Sequence, residues 1–250
     1  MRGFRSMSVR DPARSYRLIL DTCVREPAWN LALEEAILST QGFQPTLRLW
    51  VNPPSVVLGV NQDVSRYVNL GFCEARGIAV NRRVTGGGTI YMDEGNLNWS
   101  FFAPSVSPPA SPNQLYSTFG GMVARALRRL GYEVTFAPPN RIDHGGRKVS
   151  GMAAYIKRDR VLVHGTLLVH ADLSALREAI RIHTSPVPVA NLDTTRRVEE
   201  FANRLIEALG SLGLGFESSP LTMEEITLAK RLMEGKYRQL TWVWEGSAGH

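Results

Sequence analysis

Three consecutive glycines, Gly86-Gly87-Gly88, stand between two strand-like runs: GIAVNRR leads in, and GNLNWSFFAP follows a few residues on. A glycine triplet costs backbone entropy, so a fold keeps one where the chain needs a bare or left-handed backbone. The local order narrows the choice of fold. A P-loop would continue into Gly-Lys-Ser/Thr, and a dinucleotide fingerprint would open a helix. This loop opens a strand instead. Its backbone N–H groups suit an anion, with the Arg83 guanidinium beside them. The alternative is a tight hairpin turn that needs positive φ.

The rest of the chain supplies more strands than helices. YRLILDT, TLRLWV and SVVLGV read as short strands, the last two separated by Asn52-Pro53-Pro54. YEVTFAP, KVSGMAAYIKR and RVLVHGTLLVH add three more, the last pair joined by a charged turn at residues 157–160 as an antiparallel hairpin. AWNLALEEAILS has helical spacing, with Leu33, Ala36 and Ile37 inward and Glu34 and Glu35 expected toward solvent. Further helices follow Ser111 and the ADLS start signal, and two more come late, in TRRVEEFANRLIEALGSLG and MEEITLAKRLMEGKY. HTSPVPVANLDTT is broken by prolines. Without regular βαβ alternation the expected class is α+β, a largely antiparallel or mixed sheet flanked by helices. Residues 1–190 are expected to form the main unit, and 191–250 a small helical carboxyl-terminal extension of the same domain.

Composition excludes several functions. The basic start, MRGFRSMSVRDPARSYR, has no apolar core of a secretory signal behind it, and no run approaches a membrane span. A cytoplasmic protein is expected. Cys23 and Cys73 are too few for a disulfide framework or a zinc site. The net charge of +6 favours an anionic partner. Its basic residues are scattered rather than gathered with aromatics, so nucleic acid is not the expected one.

Two more residues are candidates on local grounds. Lys148, in GGRKVSGMAAY, is either a solvated charge at a hairpin end or a cation aimed at a site. Small neighbours such as Gly151 and Ala153 leave room for a ligand beside it. His164, in VLVHGTLLV, is either a satisfied core histidine or a lining residue. No HExxH, GxSxG or other metal or nucleophile motif accompanies them.

Taken in order, RRVTGGG, RKVSG and HGTLL resemble the lipoate–protein ligase A family, within the biotin/lipoate ligase superfamily. The likeness covers most of residues 28–192. It implies a two-step acyl transfer: lipoate and MgATP give lipoyl-AMP and pyrophosphate, and a lysine of an acceptor protein then takes the lipoyl group. On this resemblance Lys148 is the catalytic lysine, touching acyl carbonyl and α-phosphate. Arg83, Gly87, Gly88, Thr89, Ile90 and Tyr91 form the nucleotide-contacting stretch, with Asn96 and Asn140 near it. Gly86, Gly151, Ala153, His164 and Thr166 border the lipoate. The runs at Val57-Leu58-Gly59 and Ala153-Ala154 would wall an acyl tunnel.

The family's Asn-Asp is here Asn140-Arg141, with the acid displaced to Asp143, the candidate contact to the nucleotide's Mg2+. About 60 residues follow the matched region, short of a usual domain, which implies either a separate small accessory protein or a chain that runs only part of the reaction. Implied acceptors are acidic lipoyl domains, such as those of 2-oxoacid dehydrogenase E2 or the glycine-cleavage H protein. Two rivals stay open: an octanoyl- or lipoyl-transferase working through a cysteine thioester, and a non-catalytic module that binds acyl-adenylate or carrier domains.

Overall fold

A computed structural model describes residues 15–105, 111–182 and 185–246. The basic run 1–14 and His183-Thr184 of the proline-rich segment lie outside the described residues. The strands are β1 (Ser15–Asp21), β2 (Thr46–Trp50), β3 (Ser55–Leu58), β4 (Ala79–Arg82), β5 (Ile90–Met92), β6 (Asn96–Pro104), β7 (Val134–Ala137), β8 (Arg141–His144), β9 (Arg147–Lys157), β10 (Arg160–Leu168) and β11 (Gly215–Ser218). Eight of them form one sheet in the order β11-β1-β2-β6-β10-β9-β8-β7, and β4-β3-β5 form a second. The large sheet is antiparallel from β2 to β7 and parallel where β11 and β2 flank β1. The class is α+β with a mixed sheet, as the lack of βαβ alternation predicts.

The helices are α1 (Pro27–Ser39), α2 (Val64–Tyr67), α3 (Leu70–Ala75), α4 (Pro112–Leu115), α5 (Gly121–Arg129), α6 (Leu173–Ala179), α7 (Val198–Gly210), α8 (Met223–Leu232) and α9 (Leu240–Glu245). One face of the large sheet packs Leu47, Trp99, Phe101 and Val163 against α5 and α7, through Val123, Leu127, Phe201 and Leu205. The opposite face meets α1, whose Leu33 and Ile37 lie in one cluster with Phe102, Leu162 and Ala229 of α8. Alternate residues of β6 therefore point into two packed layers, and all but the last of its residues are buried.

That layering corrects one expectation. Glu34 is not toward solvent: α1 is covered on both sides, by the large sheet and by the late helices, and Glu34 is 2% exposed. Two short polar strands were not expected from the sequence, β8 (RIDH) and β11 (GFES). The late segment is woven into the rest: α7 enters the core, β11 pairs with β1, and α8 and α9 pack near α1 and β4.

Candidate active site

A cavity of about 320 Å³ opens between the α1-side face of the large sheet and the glycine loop. Cross-strand pairing explains which side chains reach it. Trp50, Asn98, Thr166 and Gly151 form one row across β2, β6, β10 and β9. Arg48, Ser100, His164 and Ala153 form the next row on the same face, two residues along each strand.

Arg83 organises the glycine loop. Its Nε donates to Thr85 Oγ1 at 2.8 Å, Nη1 to the Val57 carbonyl at 3.1 Å, and Nη2 to the Gly86 and Gly88 carbonyls at 2.7 and 2.8 Å. These bonds use four of its five N–H groups. Burial pulls its pKa down to about 10 against the attraction of Glu34, so it is still charged at neutral pH. Because a trans peptide sets N–H opposite C=O, holding those two carbonyls turns the Gly87 and Thr89 N–H groups away from the guanidinium. Neither N–H is taken by another described residue. Gly87 sits at φ +92, a conformation that favours glycine. The loop is thus an anion nest with an internal cation as its frame.

The frame is itself anchored. Thr85 Oγ1 lies 2.8 Å from His164 Nε2, and His164 Nδ1 lies 3.0 Å from both carboxylate oxygens of Glu34. Ser100 Oγ donates to Glu34 at 2.5 Å and receives Trp50 Nε1–H at 2.9 Å. Burial raises the Glu34 pKa, but the charge and hydrogen bond of His164, the Ser100 hydroxyl and Arg48 together bring it below the usual carboxylate range. A carboxylate there only accepts, so Nδ1 of His164 donates to it. The Arg83 Nε–H occupies one lone pair of Thr85 Oγ1, which shares a second hydrogen bond with His164 Nε2. The network spans α1, three strands (β2, β6 and β10) and the loop.

Lys148 stands differently. Its backbone is pinned by the proline-rich segment, with Lys148 N–H to the Pro188 carbonyl at 2.8 Å and Ala190 N–H to the Lys148 carbonyl at 2.9 Å. Its side chain lies over Gly151, where an added Cβ would come within 2.9 Å of both Cε and Nζ. The missing side chain of Gly151 is the berth of the ammonium. Burial, then the charge of Arg141, push the Lys148 pKa below the usual lysine range; Asp143 opposes them and Arg83 adds to them. No hydrogen bond or ion pair joins the ammonium to another described residue. Lys148 borders both the main cavity and a recess of about 70 Å³ beside Tyr91 and Val189.

Of the expected residues, Arg83, Gly87, Gly88, Thr89, Ile90, Asn140, Lys148, Gly151, Ala153, His164 and Thr166 line the main cavity. Tyr91 lines the smaller recess. Gly86 is behind the loop, its carbonyl on Arg83. Asn96 does not line the cavity: it is fully buried at the first position of β6, where Nδ2 donates to the Tyr91 carbonyl at 3.4 Å and Oδ1 receives the Asp93 N–H. Two positions on, the unexpected Asn98 lines the cavity. Val57 and Leu58 belong to the packed core and do not wall a tunnel. Asp143, the expected contact to the nucleotide's Mg2+, has both its oxygens held by Arg141 Nε at 3.0 Å.

A second hollow, about 380 Å³ beside α9, is lined by apolar groups and by Glu26 and Arg238, which pair with each other at 2.7 Å. It has no free cation, and the chemistry belongs to the first cavity.

The family model for the lipoyl protein ligase A/B catalytic domain matches residues 26–210. A putative lipoate-protein ligase A of Aeropyrum pernix is 33% identical over 240 residues, covering 89% of this chain and 90% of that one. The crystal structure of a lipoate-protein ligase A bound with ATP superposes with a TM-score of 0.85 at 29% identity, over 93% of this chain and 100% of that one. A bi-partite lipoate protein ligase from Thermoplasma acidophilum, described together with its E2 lipoyl domain, gives 0.82 at 26% identity, over 94% and 99%. The chain belongs to the lipoyl protein ligase A/B catalytic domain family.

Proposed function

We propose that this chain is a lipoate–protein ligase that activates lipoate with ATP and passes the lipoyl group to a lysine of an acceptor protein. The observation that carries the reading is the unpaired Lys148 ammonium between an anion nest and a partly apolar cavity. In the first step a lipoate carboxylate oxygen attacks the α-phosphorus of ATP and pyrophosphate leaves. Lys148 holds the two anionic groups together and balances the charge that grows on them. A preorganised donor in such a place contributes about a hundred- to a thousandfold in rate. The Gly87 and Thr89 N–H groups hold phosphate oxygens. In the second step the neutral acceptor amine attacks the carbonyl carbon, AMP leaves with the bond electrons, the nitrogen gives up its proton to solvent, and Lys148 again faces the developing oxyanion. No protein nucleophile is needed, because the substrates bring both reacting groups.

Mg2+ would come in with the nucleotide and supply charge neutralisation on its phosphates; Asp143, the acid expected to meet it, is paired here with Arg141. The bi-partite relative supports a separate accessory protein and an E2-type lipoyl domain as partners, with the +6 charge drawing in an acidic acceptor. Cytoplasm is the matching location. Residues 191–250 are read as part of the same catalytic unit, since α7 and β11 complete its core and sheet.

The test is lipoate-dependent ATP–pyrophosphate exchange, run with and without cell extract. Exchange is expected, and Lys148→Ala removes it. Exchange that is undiminished in Lys148→Ala refutes the role of that residue. The thioester rival predicts that transfer needs a thiol, but Cys23 is exposed and Cys73 is buried on α3 with its pKa raised by burial. Neither lines the cavity. Transfer is therefore expected to survive Cys23→Ser with Cys73→Ala.

A further inference from the structure

Asn98 carries an unexplained amide. It is 1% exposed, on the central strand β6, and neither its Nδ2 nor its Oδ1 has a hydrogen-bond partner. Other buried amides in this molecule fare better: Asn30 Nδ2 donates to Asn52 Oδ1 at 2.7 Å, and where Asn81 and Asn191 leave Oδ1 unmet, Asn98 leaves both of its amide atoms unmet. An orphaned amide at the centre of a sheet is costly unless something else meets it.

Its position says what that is. Asn98 borders the end of the cavity closed by Leu31, Trp50 and Met92. In the cross-strand row it lies two strands from Gly151, with Thr166 between them. Two strand spacings make about 10 Å. Gly151 is where the Lys148 ammonium rests, so a carboxylate held there sends its tail across Thr166 toward Asn98, over the length of a medium-chain acyl group. A tail of hydrocarbon alone would leave the amide orphaned. A tail ending in divalent sulfur brings weak acceptors for the Nδ2–H, on polarisable atoms that also suit the Met92 and Trp50 surroundings.

We propose that Asn98 is the specificity residue for the far end of the acyl chain, favouring a sulfur-bearing tail over a saturated one of the same length. The proposal rests on the ligase reading and extends it to a choice between lipoate and octanoate. It assigns no role to Asn98 in the chemical step.

The test is calorimetric binding of lipoate and of octanoate to the full chain, wild type and Asn98→Leu, with lipoate-dependent exchange measured in parallel. Wild type is expected to prefer lipoate by about tenfold, the effect of leaving one buried donor unmet. In Asn98→Leu the preference falls to about twofold or less, by weaker lipoate and stronger octanoate binding, while ATP affinity holds. Asn98→Asp keeps the shape without the donor and is expected to lose the preference too; it decides the matter if the leucine variant does not fold by circular dichroism. No preference in wild type, or the same ratio in wild type and variant, overturns the assignment. If exchange is normal in that case, the ligase reading stands. A folded wild type that binds neither acid and catalyses no exchange overturns both.

Discussion

The two walls of the cavity use their cations in opposite ways. On the glycine-loop wall Arg82 and Arg83 are almost fully occupied by the protein. Arg82 bonds the carbonyls of Gly59, Val60 and Gln62 on one side and those of Trp242, Val243 and Trp244 on the other, tying α9 to the turn after β3 behind that wall. Arg83 holds the loop's own carbonyls. On the β9 wall Lys148 is held by its backbone alone and its ammonium is free. A cation whose donors are satisfied builds the site, and one left unsatisfied acts in it. The planar fork of arginine suits the first task and the point charge of lysine the second.

The sharpest break of that comparison is Lys148→Met. Adenylate formation should fall by about a hundred- to a thousandfold in kcat, measured by exchange. Stability should not fall. The folded pKa of Lys148 is below its unfolded value, so the buried ammonium destabilises the fold at neutral pH and below, and this cost disappears as pH rises through the ordinary lysine range. Thermal melts from pH 7 to 10 should show the wild type gaining on Lys148→Met, with the variant's Tm equal or higher at pH 7. A variant that melts far below wild type at pH 7 would place Lys148 among the structural cations.

Arg82→Ala should do the reverse. Its loss strands carbonyls from both segments and should cost about 3 kcal/mol of stability, read by urea unfolding. The residual folded enzyme should keep a kcat within a few-fold of wild type. A large kcat loss at full stability would make Arg82 a site residue.

Glu34→Gln should be smaller, about 1–2 kcal/mol in stability. Gln can still accept from His164 with Oε1, but its new amide donors face Ser100 and Arg48. Because the network frames the phosphate nest, the KM for ATP should rise more than the KM for lipoate. Equal changes in both would confine Glu34 to structure.

Much of this was legible in the sequence. Glycines between two strands excluded the helix-based phosphate loops, and small residues around Lys148 marked a space beside it; both features are local. Glu34 was misread because helical spacing assumes one wet face, and α1 has none. Asn96 and Asn98 differ by one strand period in a run buried on both faces, and nothing local says that one braces a turn while the other meets a cavity. β8 and β11 are too short and polar to give a periodic signal.

The sequence by itself determined the order of strands around a bare glycine loop, the α+β class and the cation that follows the loop, because these depend on propensity and neighbours in the chain. Only the tertiary structure decided which cations are free. Arg82 meets carbonyls about 160 residues away, Glu34 meets His164 across 130, and Asn98 meets no one. Hydrogen-bond satisfaction in a dry interior is settled between distant segments, and it is the groups left over that mark where a ligand belongs.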